Sequence, residues 1–327
     1  MITLAKLRRK PKQFQSLTGL SVSEFDKLFT EFESAYEQAR QERQNRTGRT
    51  RQPGAGRPFL LPLAERLFMA LLYFRLYLNQ SLLSLLFDID QSSVSREVMK
   101  RVLPVLEGIL PLPLREAPLR HLGSDKEPSD DTLPVPSRKR KRISTLKELI
   151  EAYPEIEEIL LDATEQPVPQ PKEKQKRKHA YSGKQQDHTI KTQIVATKTT
   201  ILHVFGGLPG SLHDITVLGA SGVLHQVPPN VKVRLDRGYQ GSDKYGGSGD
   251  LQSPVRKVRG QSVTLFGKAY NHALSVLRIP VEHHFARLKR FRILADLFRG
   301  DQNRHESIFC VVAGLLNFRA TGGFELR

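Results

Sequence analysis

Three acidic residues stand in frames that suit metal-dependent chemistry at phosphorus: Asp162 in EEILLDATEQPV, Asp236 in VKVRLDRGYQG and Glu282 in RIPVEHHFARLKRF. In VKVRLD, Val231, Val233 and Leu235 alternate with Lys232, Arg234 and Asp236, the period of a half-buried strand. Asp162 lies near the end of a second strand-like run. Around Glu282 the period is helical. Arg278, Glu282 and Lys289 stand at i, i+4 and i+11, within about 40° of one another on one face. Leu277, Val281, Phe285 and Leu288 form the opposite, apolar stripe expected to be buried. Two strand-borne Asp and one helix-borne Glu suit a site holding two divalent metals roughly 3.5–4 Å apart for phosphodiester chemistry. Mg²⁺ favours such a set, because it takes one or two carboxylates and fills its shell with water and phosphate oxygens.

These frames carry a family resemblance. The spacing R-x3-E-x6-K, read from Arg278, Glu282 and Lys289, resembles the signature around the third acid of DDE transposases of bacterial insertion sequences. DATEQPV resembles the frame of their first Asp, and LDRGYQG that of their second. YSGKQQDHTIK (181–191) and GSLHDITVL (210–218) are similar to two further stretches of the insertion-sequence five group. The resemblance runs from about Ile156 to the C-terminus. It implies an RNase H-like catalytic domain, two Mg²⁺ (or Mn²⁺) ions held by Asp162, Asp236 and Glu282, and double-stranded DNA as substrate. It further implies phosphate contacts from Lys289 and Arg278, with Lys184 and Lys191 as additional candidates. The expected assembly is a homodimer or higher oligomer, in a bacterial cytoplasm at the nucleoid. Two positions depart from the pattern. Ser275 stands where the fuller signature carries Tyr, and Pro280 favours a kink or a helix start that would leave Arg278 just before the regular helix.

Neighbouring groups have simpler roles. Asp214, after Ser211 and before an apolar run, suits a helix N-terminus. Glu165 is expected outside the metal shell. His283 and His284 point ~100° apart on a helix and cannot chelate one ion together. Two other functions fit the chain: a domesticated DNA-binding descendant without cleavage, against which the presence of all three acids argues, and an RNase H-like nuclease without strand transfer.

Composition points to a polyanionic partner. Lys and Arg number 51 against 34 Asp and Glu, a formal charge of +17. Such a surplus favours nucleic acid through counterion release and steering. The single Cys310 sits in the apolar run IFCVVAGLL, so no disulfide within the chain is possible and a reducing compartment fits. No apolar run reaches the ~18 residues of a membrane helix, no signal-peptide pattern opens the sequence, and no Cys/His spacing suggests zinc.

The elements that must position these residues divide the chain into three parts. Residues 1–110 are expected to form an all-α DNA-binding domain. A helix over about 14–44 carries Leu20, Phe25, Leu28, Phe29, Phe32 and Tyr36 at helical spacing, behind Ser21 or Ser23 as N-cap. The Gly-, Pro- and Arg-rich segment 43–58 is a loop, either a phosphate-contacting arm or a plain linker. An apolar helix over 63–78 precedes a short helix at 81–87, a turn at 88–91 and a helix from Ser92. The last pair resembles a helix-turn-helix (about 79–107), although its turn lacks the usual Gly. Val94, Val98, Val102, Val105 and Leu106 form its buried stripe, and Ser92, Ser93, Arg96 and Lys100 are the candidate DNA contacts. Residues 111–150 form a Pro- and charge-rich linker, whose run of Arg138, Lys139 and Arg140 is a phosphate clamp or a solvated segment. Residues 151–327 form the catalytic domain. Its strands are expected at 156–163, 189–196, 200–205, 231–235 and near 252–258, with a basic loop at 167–178 and helices at about 215–226 and from about Asn271. The fold class is thus α/β or α+β: a mixed sheet flanked by helices, preceded by a helical domain.

Overall fold

The computed structural model describes residues 3–45, 60–115, 132–135, 143–257 and 262–324. Its chain divides into two compact units. The first takes in Met1–Pro111, Arg120–Arg140 and Arg290–Ile293; the second takes in Leu112–Leu119, Lys141–Lys289 and Leu294–Arg327.

The described part of the first unit is helical. The expected single helix over 14–44 is two, Pro11–Thr18 and Val22–Gln44, because Gly19 adopts φ 83°, a left-handed conformation that stops the first. Ser21 then caps the second in a reciprocal box with Glu24. A Cβ on Gly19 would lie 2.7 Å from the ring of Phe291, which is buried here with the Arg75 guanidinium 5.0 Å over its face. In the helix Leu63–Leu76, every residue from Leu67 to Phe74 is buried, so it is the core helix of the unit.

The helix pair follows as Gln80–Phe87 and a rod that starts at Gln91. Asp88 takes the left-handed position (φ 53°) that Gly more often fills, which explains a tight turn without glycine. The rod runs as α-helix to Arg96, as a π turn over Glu97–Val102, and as α-helix again over Leu103–Ile109. Pro104 has no N–H to give the Lys100 carbonyl, and that carbonyl accepts from Leu133 N at 2.8 Å. Val94, Val98, Val102, Val105 and Leu106 are buried as expected, Ser92 is exposed, and Ser93, Arg96 and Lys100 are half-buried. Glu97, fully buried, pairs with Arg66 and Arg101.

The second unit is built on a mixed sheet. Its strands are β1 (Leu114–Arg115), β2 (Glu158–Pro167), β3 (Tyr181–Ser182), β4 (Asp187–Ala196), β5 (Ile201–Pro209), β6 (Lys232–Arg234) and β7 (Asp250–Gln252). The order is β1-β5-β4-β2-β6-β7, with β3 added to β4. β2, β4 and β5 are antiparallel neighbours, whereas β6 runs parallel to β2 and β7 to β6. Alternation sends Ile159 and Leu161 of β2 into a hydrophobic cluster with Leu146, Ile150, Leu218 and Val233. The opposite face of β2 meets the helix Leu265–Lys289 (the site helix). The final helix, His305–Thr321, is tied to β5 through Asn317, whose amide both accepts from Ile201 N and donates to Ile201 O at 2.9 Å. The basic stretch expected as a loop over 167–178 contains a short helix, Lys174–Ala180, with no buried residue. Among the described residues no helix is long and apolar enough to cross a membrane.

His305 gives this unit a pH dependence. Burial pushes its imidazole down to about 4, and its Nε2 pairs with Gln166 Oε1 at 2.9 Å. The folded protein holds it neutral, while the unfolded chain protonates it near its ordinary ~6.5. Stability from this group is complete above pH 6.5 and lost as pH falls toward 4, in total roughly 3 kcal/mol. Denaturant unfolding followed from pH 7 to 4.5 should show this loss in the wild type, and a clearly flatter profile in His305→Gln.

Candidate active site

The two aspartates are neighbours because of strand register. β2 and β6 are parallel, with Leu160 opposite Arg234, so two residues further on Asp162 lies beside Asp236. There β6 ends and the chain turns into Arg237–Tyr239, with Tyr239 N donating to Asp236 O at 3.0 Å. The C-terminal ends of parallel strands are where open α/β sheets place their ligands. Asp162 has the parity of Leu160, away from the Ile159/Leu161 cluster, and so faces the site helix.

Arg278 of that helix spans the pair. Its Nη2 donates to Asp162 Oδ2 at 2.8 Å and its Nη1 to Asp236 Oδ1 at 2.9 Å, one planar fork on two carboxylates. Ala163 N donates to Asp162 Oδ1 at 2.8 Å. Burial nevertheless pushes the Asp162 carboxyl up to about 6. Arg278 and the Ala163 N–H oppose that rise, and the charges of Asp236 and Asp214 add to it.

The site helix differs from its expected form in three ways. It starts at Leu265 instead of about Asn271, it runs unbroken through Pro280, and Arg278 lies inside it. Pro280 leaves the carbonyl one turn back, on Val276, without its usual donor, but Val276 is exposed, so water can serve it. The buried stripe is Leu274, Arg278, Val281, His284 and Leu288; Leu277 is exposed and Phe285 half-buried. The stripe is rotated because Arg278, neutralised by two carboxylates, is itself a buried residue.

Glu282 is exposed one turn beyond Arg278 and ~40° around the axis. The structure thus joins two of the three acids. Among the described residues no three His, Cys, Asp or Glu side chains are gathered as a metal site. His284 Nε2 pairs with Thr197 O at 3.0 Å, and His283 is exposed. Lys289 is exposed on the face of Glu282, and Lys184 is exposed in the turn before β4. Arg138, Lys139, Arg140 and most of the 43–58 loop lie outside the described residues.

Lys191 departs from its expected role as a DNA contact. It is buried on β4 directly across from Glu165, and its Nζ donates to Leu212 O at 2.6 Å and Asp214 Oδ1 at 2.8 Å, with Glu165 Oε1 at 3.4 Å. Three oxygens saturate its ammonium. Asp214 is the first residue of the helix Asp214–Ser221, as expected, but it also packs on the second motif: a Cβ on Gly238 would lie 2.7 Å from its Oδ2. Tyr239 is fully buried, and that burial, with the carboxylates of Asp162 and Asp214 adding to it, raises its hydroxyl well above the ordinary value. Neither contact was read from the sequence, although HDIT and DRGY stood out as motifs.

The donor set fits a hard divalent ion. It offers carboxylate oxygens without thiolate or imidazole, and the paired aspartates already draw a cation, the guanidinium of Arg278.

Two family models match the chain: DDE superfamily endonuclease over residues 161–317, and helix-turn-helix of DDE superfamily endonuclease over residues 59–111. The chain is 30% identical over 269 residues to the "Probable transposase for insertion sequence element IS702" of Microchaete diplosiphon, covering 82% of this chain and 84% of that protein. It is 25% identical over 324 residues to the "Putative transposase for insertion sequence element IS112" of Streptomyces albus G, covering 96% and 97%. No solved structure matches. The chain belongs to the DDE superfamily of endonucleases, among the transposases of insertion sequence elements. Its catalytic part is RNase H-like, enzymes of this superfamily use divalent metal ions, and its helix-turn-helix is a DNA-binding element.

The burial of Lys191 separates structure from substrate contact. Lys191→Met should leave Glu165 and Asp214 as uncompensated acids and cost about 3–5 kcal/mol in denaturant unfolding. Lys184→Met, at an exposed turn, should change stability by no more than ~0.5 kcal/mol.

Proposed function

We propose that the protein binds the ends of its insertion element, cleaves the DNA there, and joins the freed 3′-hydroxyl ends to target DNA. Asp162, Asp236 and Glu282 are the catalytic acids and would hold two Mg²⁺ or Mn²⁺ ions. The carrying observation is the side-by-side placement of Asp162, which lies midway along β2 and not near its end as expected, and Asp236, just past the end of the parallel strand β6, both bridged by Arg278 of the helix that bears Glu282. Bound there, divalent ions supply activation of the attacking oxygen and stabilisation of the leaving one.

The chain's own groups do the rest. The guanidinium fork of Arg278 matches a phosphate as well as it matches two carboxylates, so it orients the scissile group once the acids are otherwise neutralised. No covalent enzyme intermediate is required, since water attacks first and the 3′-hydroxyl second. Lys289, seven residues past Glu282, projects about 10 Å along the same face and holds a phosphate near the break. Ser92, Ser93, Arg96 and Lys100, at the start of the rod that begins at Gln91, read the element end, with phosphate contacts positioning and base contacts specifying. Joining two ends to one target calls for two or more copies of the chain.

Two measurements check this reading. Asp162→Asn or Glu282→Gln should abolish Mg²⁺-dependent nicking of element-end DNA while end binding persists in a gel-shift assay; normal nicking by either variant would sink the assignment of the acids.

The role of Lys289 is tested against its neighbour. Lys289→Ala should lower cleavage by ten-fold or more, about 1.4 kcal/mol of transition-state stabilisation, with Lys289→Arg far milder. Arg290→Ala, about 100° around the axis, should matter much less. Equal, mild losses at both positions would reduce Lys289 to general charge.

A further inference from the structure

The N-terminal half of the site helix borders a cleft of about 780 Å³ that has no part in the function proposed above. Lys268, Asn271, His272 and Ser275 form one wall, at i, i+3, i+4 and i+7 and hence on one helix face. The strap Val255–Lys257, the turn after Asp236, with Arg237 and Gln240, and Ser262 and Val263 ahead of the helix form the rest. The strap is fastened down. Asn271 Oδ1 accepts from Val255 N at 2.7 Å, its Nδ2 donates to Val255 O at 3.2 Å, and Gln240 Nε2 donates to Pro254 O at 3.3 Å. Arg256 and Lys257 are therefore carried on a backbone with both polar groups of Val255 satisfied.

The cleft is electrostatically one-sided. Arg237, Arg256, Lys257 and Lys268 line it, all four exposed, and no carboxylate does. Among the described residues none of the four has an ion-pair partner, in contrast to Arg278, Lys191 and Arg234 of the same unit. Four uncompensated cations in one polar hollow are a polyanion site. Its volume is within the range of sites that hold a single small ligand, enough for a few nucleotides of one strand.

Helix geometry relates the cleft to the cutting centre. Glu282 stands seven residues past Ser275 and fourteen past Lys268 on nearly the same face, so it is about 10 and 21 Å away along the axis. For a strand that keeps the ~3.4 Å rise of duplex stacking, that is roughly three to six nucleotides. We propose that this cleft binds single-stranded DNA, namely the strand that continues from the scissile phosphate, with the phosphates three to six nucleotides away held by Arg237, Arg256, Lys257 and Lys268. The assignment rests on Asp162, Asp236 and Glu282 being the cutting centre.

The test uses the full chain with Arg256→Ala, Lys257→Ala and Lys268→Ala combined; all three residues are exposed and outside the acid site. In fluorescence anisotropy with a twelve-nucleotide oligo-dT, the triple variant should bind about tenfold or more weakly than wild type, with the log–log salt slope lowered by ~2 (about 0.7 per lost phosphate contact). Lys147→Ala, an exposed lysine elsewhere in the unit, should change neither, and binding of a twelve-base-pair duplex should be equal in all three proteins. On element-end DNA, methylphosphonates three to six nucleotides from the cut should slow the wild type and have no further effect on the triple variant. Unchanged oligo-dT binding, an equal loss in Lys147→Ala, or an equal loss on duplex would overturn the cleft as a single-strand site. Absence of any metal-dependent cutting by wild type would instead overturn the proposed function, and the oligo-dT comparison would still decide whether the cleft binds a strand.

Discussion

Two carboxylates held side by side repel each other, and the repulsion grows as water is taken away. Asp162 and Asp236 are in that position, one of them largely buried, because the β2–β6 register puts them there. The arrangement is tolerable only with positive charge between them, and Arg278 supplies it from a third element. Much of the second unit follows from this constraint. The site helix must lie on that face of the sheet, and it must turn an arginine into its apolar stripe.

The same logic recurs one step outward. Asp214 adds further negative charge near Asp162, and its own compensation is Lys191, which also faces Glu165 across the sheet. A buried lysine among three oxygens is costly to desolvate and costlier to remove, so the cluster fixes where the helix Asp214–Ser221 begins. Gly238 completes the fit, since the second acidic motif passes the Asp214 carboxylate so closely that a Cβ there would lie 2.7 Å from its Oδ2. The motifs HDIT and DRGY are thus one packing unit. The first unit has its own version in Glu97, buried between Arg66 and Arg101.

What could be read from the sequence was what has a local period. Strand alternation at 231–235 and the helical repeat around Glu282 located two acids and the elements that bear them, and family frames located the third. Ion pairs between residues 42 and 116 positions apart have no period, so the bridging role of Arg278 was invisible, and its charge put it on the wrong side of the helical wheel. Lys191 misled for a related reason: in a chain of +17, a lysine in a polar run reads as a phosphate contact until its cross-strand partner is seen. The helix Lys174–Ala180 has no apolar face to betray it, only a run that, His179 apart, has good intrinsic helix propensity. Asp88 shows a turn made without its usual residue, legible from the flanking helices alone.

Phe291 bears on the order in which the chain is completed. It belongs to the helical unit, where its ring lies against Gly19 and under Arg75, yet it comes two residues after the end of the site helix. During synthesis, the N-terminal helices emerge long before this residue does. Until then they lack a buried aromatic side chain of the kind whose removal costs a folded core about 3–5 kcal/mol. The helical unit therefore reaches its full packing only after β2, β6 and the site helix have all been translated, so a ribosome that stops early releases that unit with an unfilled core. The helical unit, although it comes first in the sequence, is thus completed only shortly before the final helix, His305–Thr321, completes the sheet-based unit.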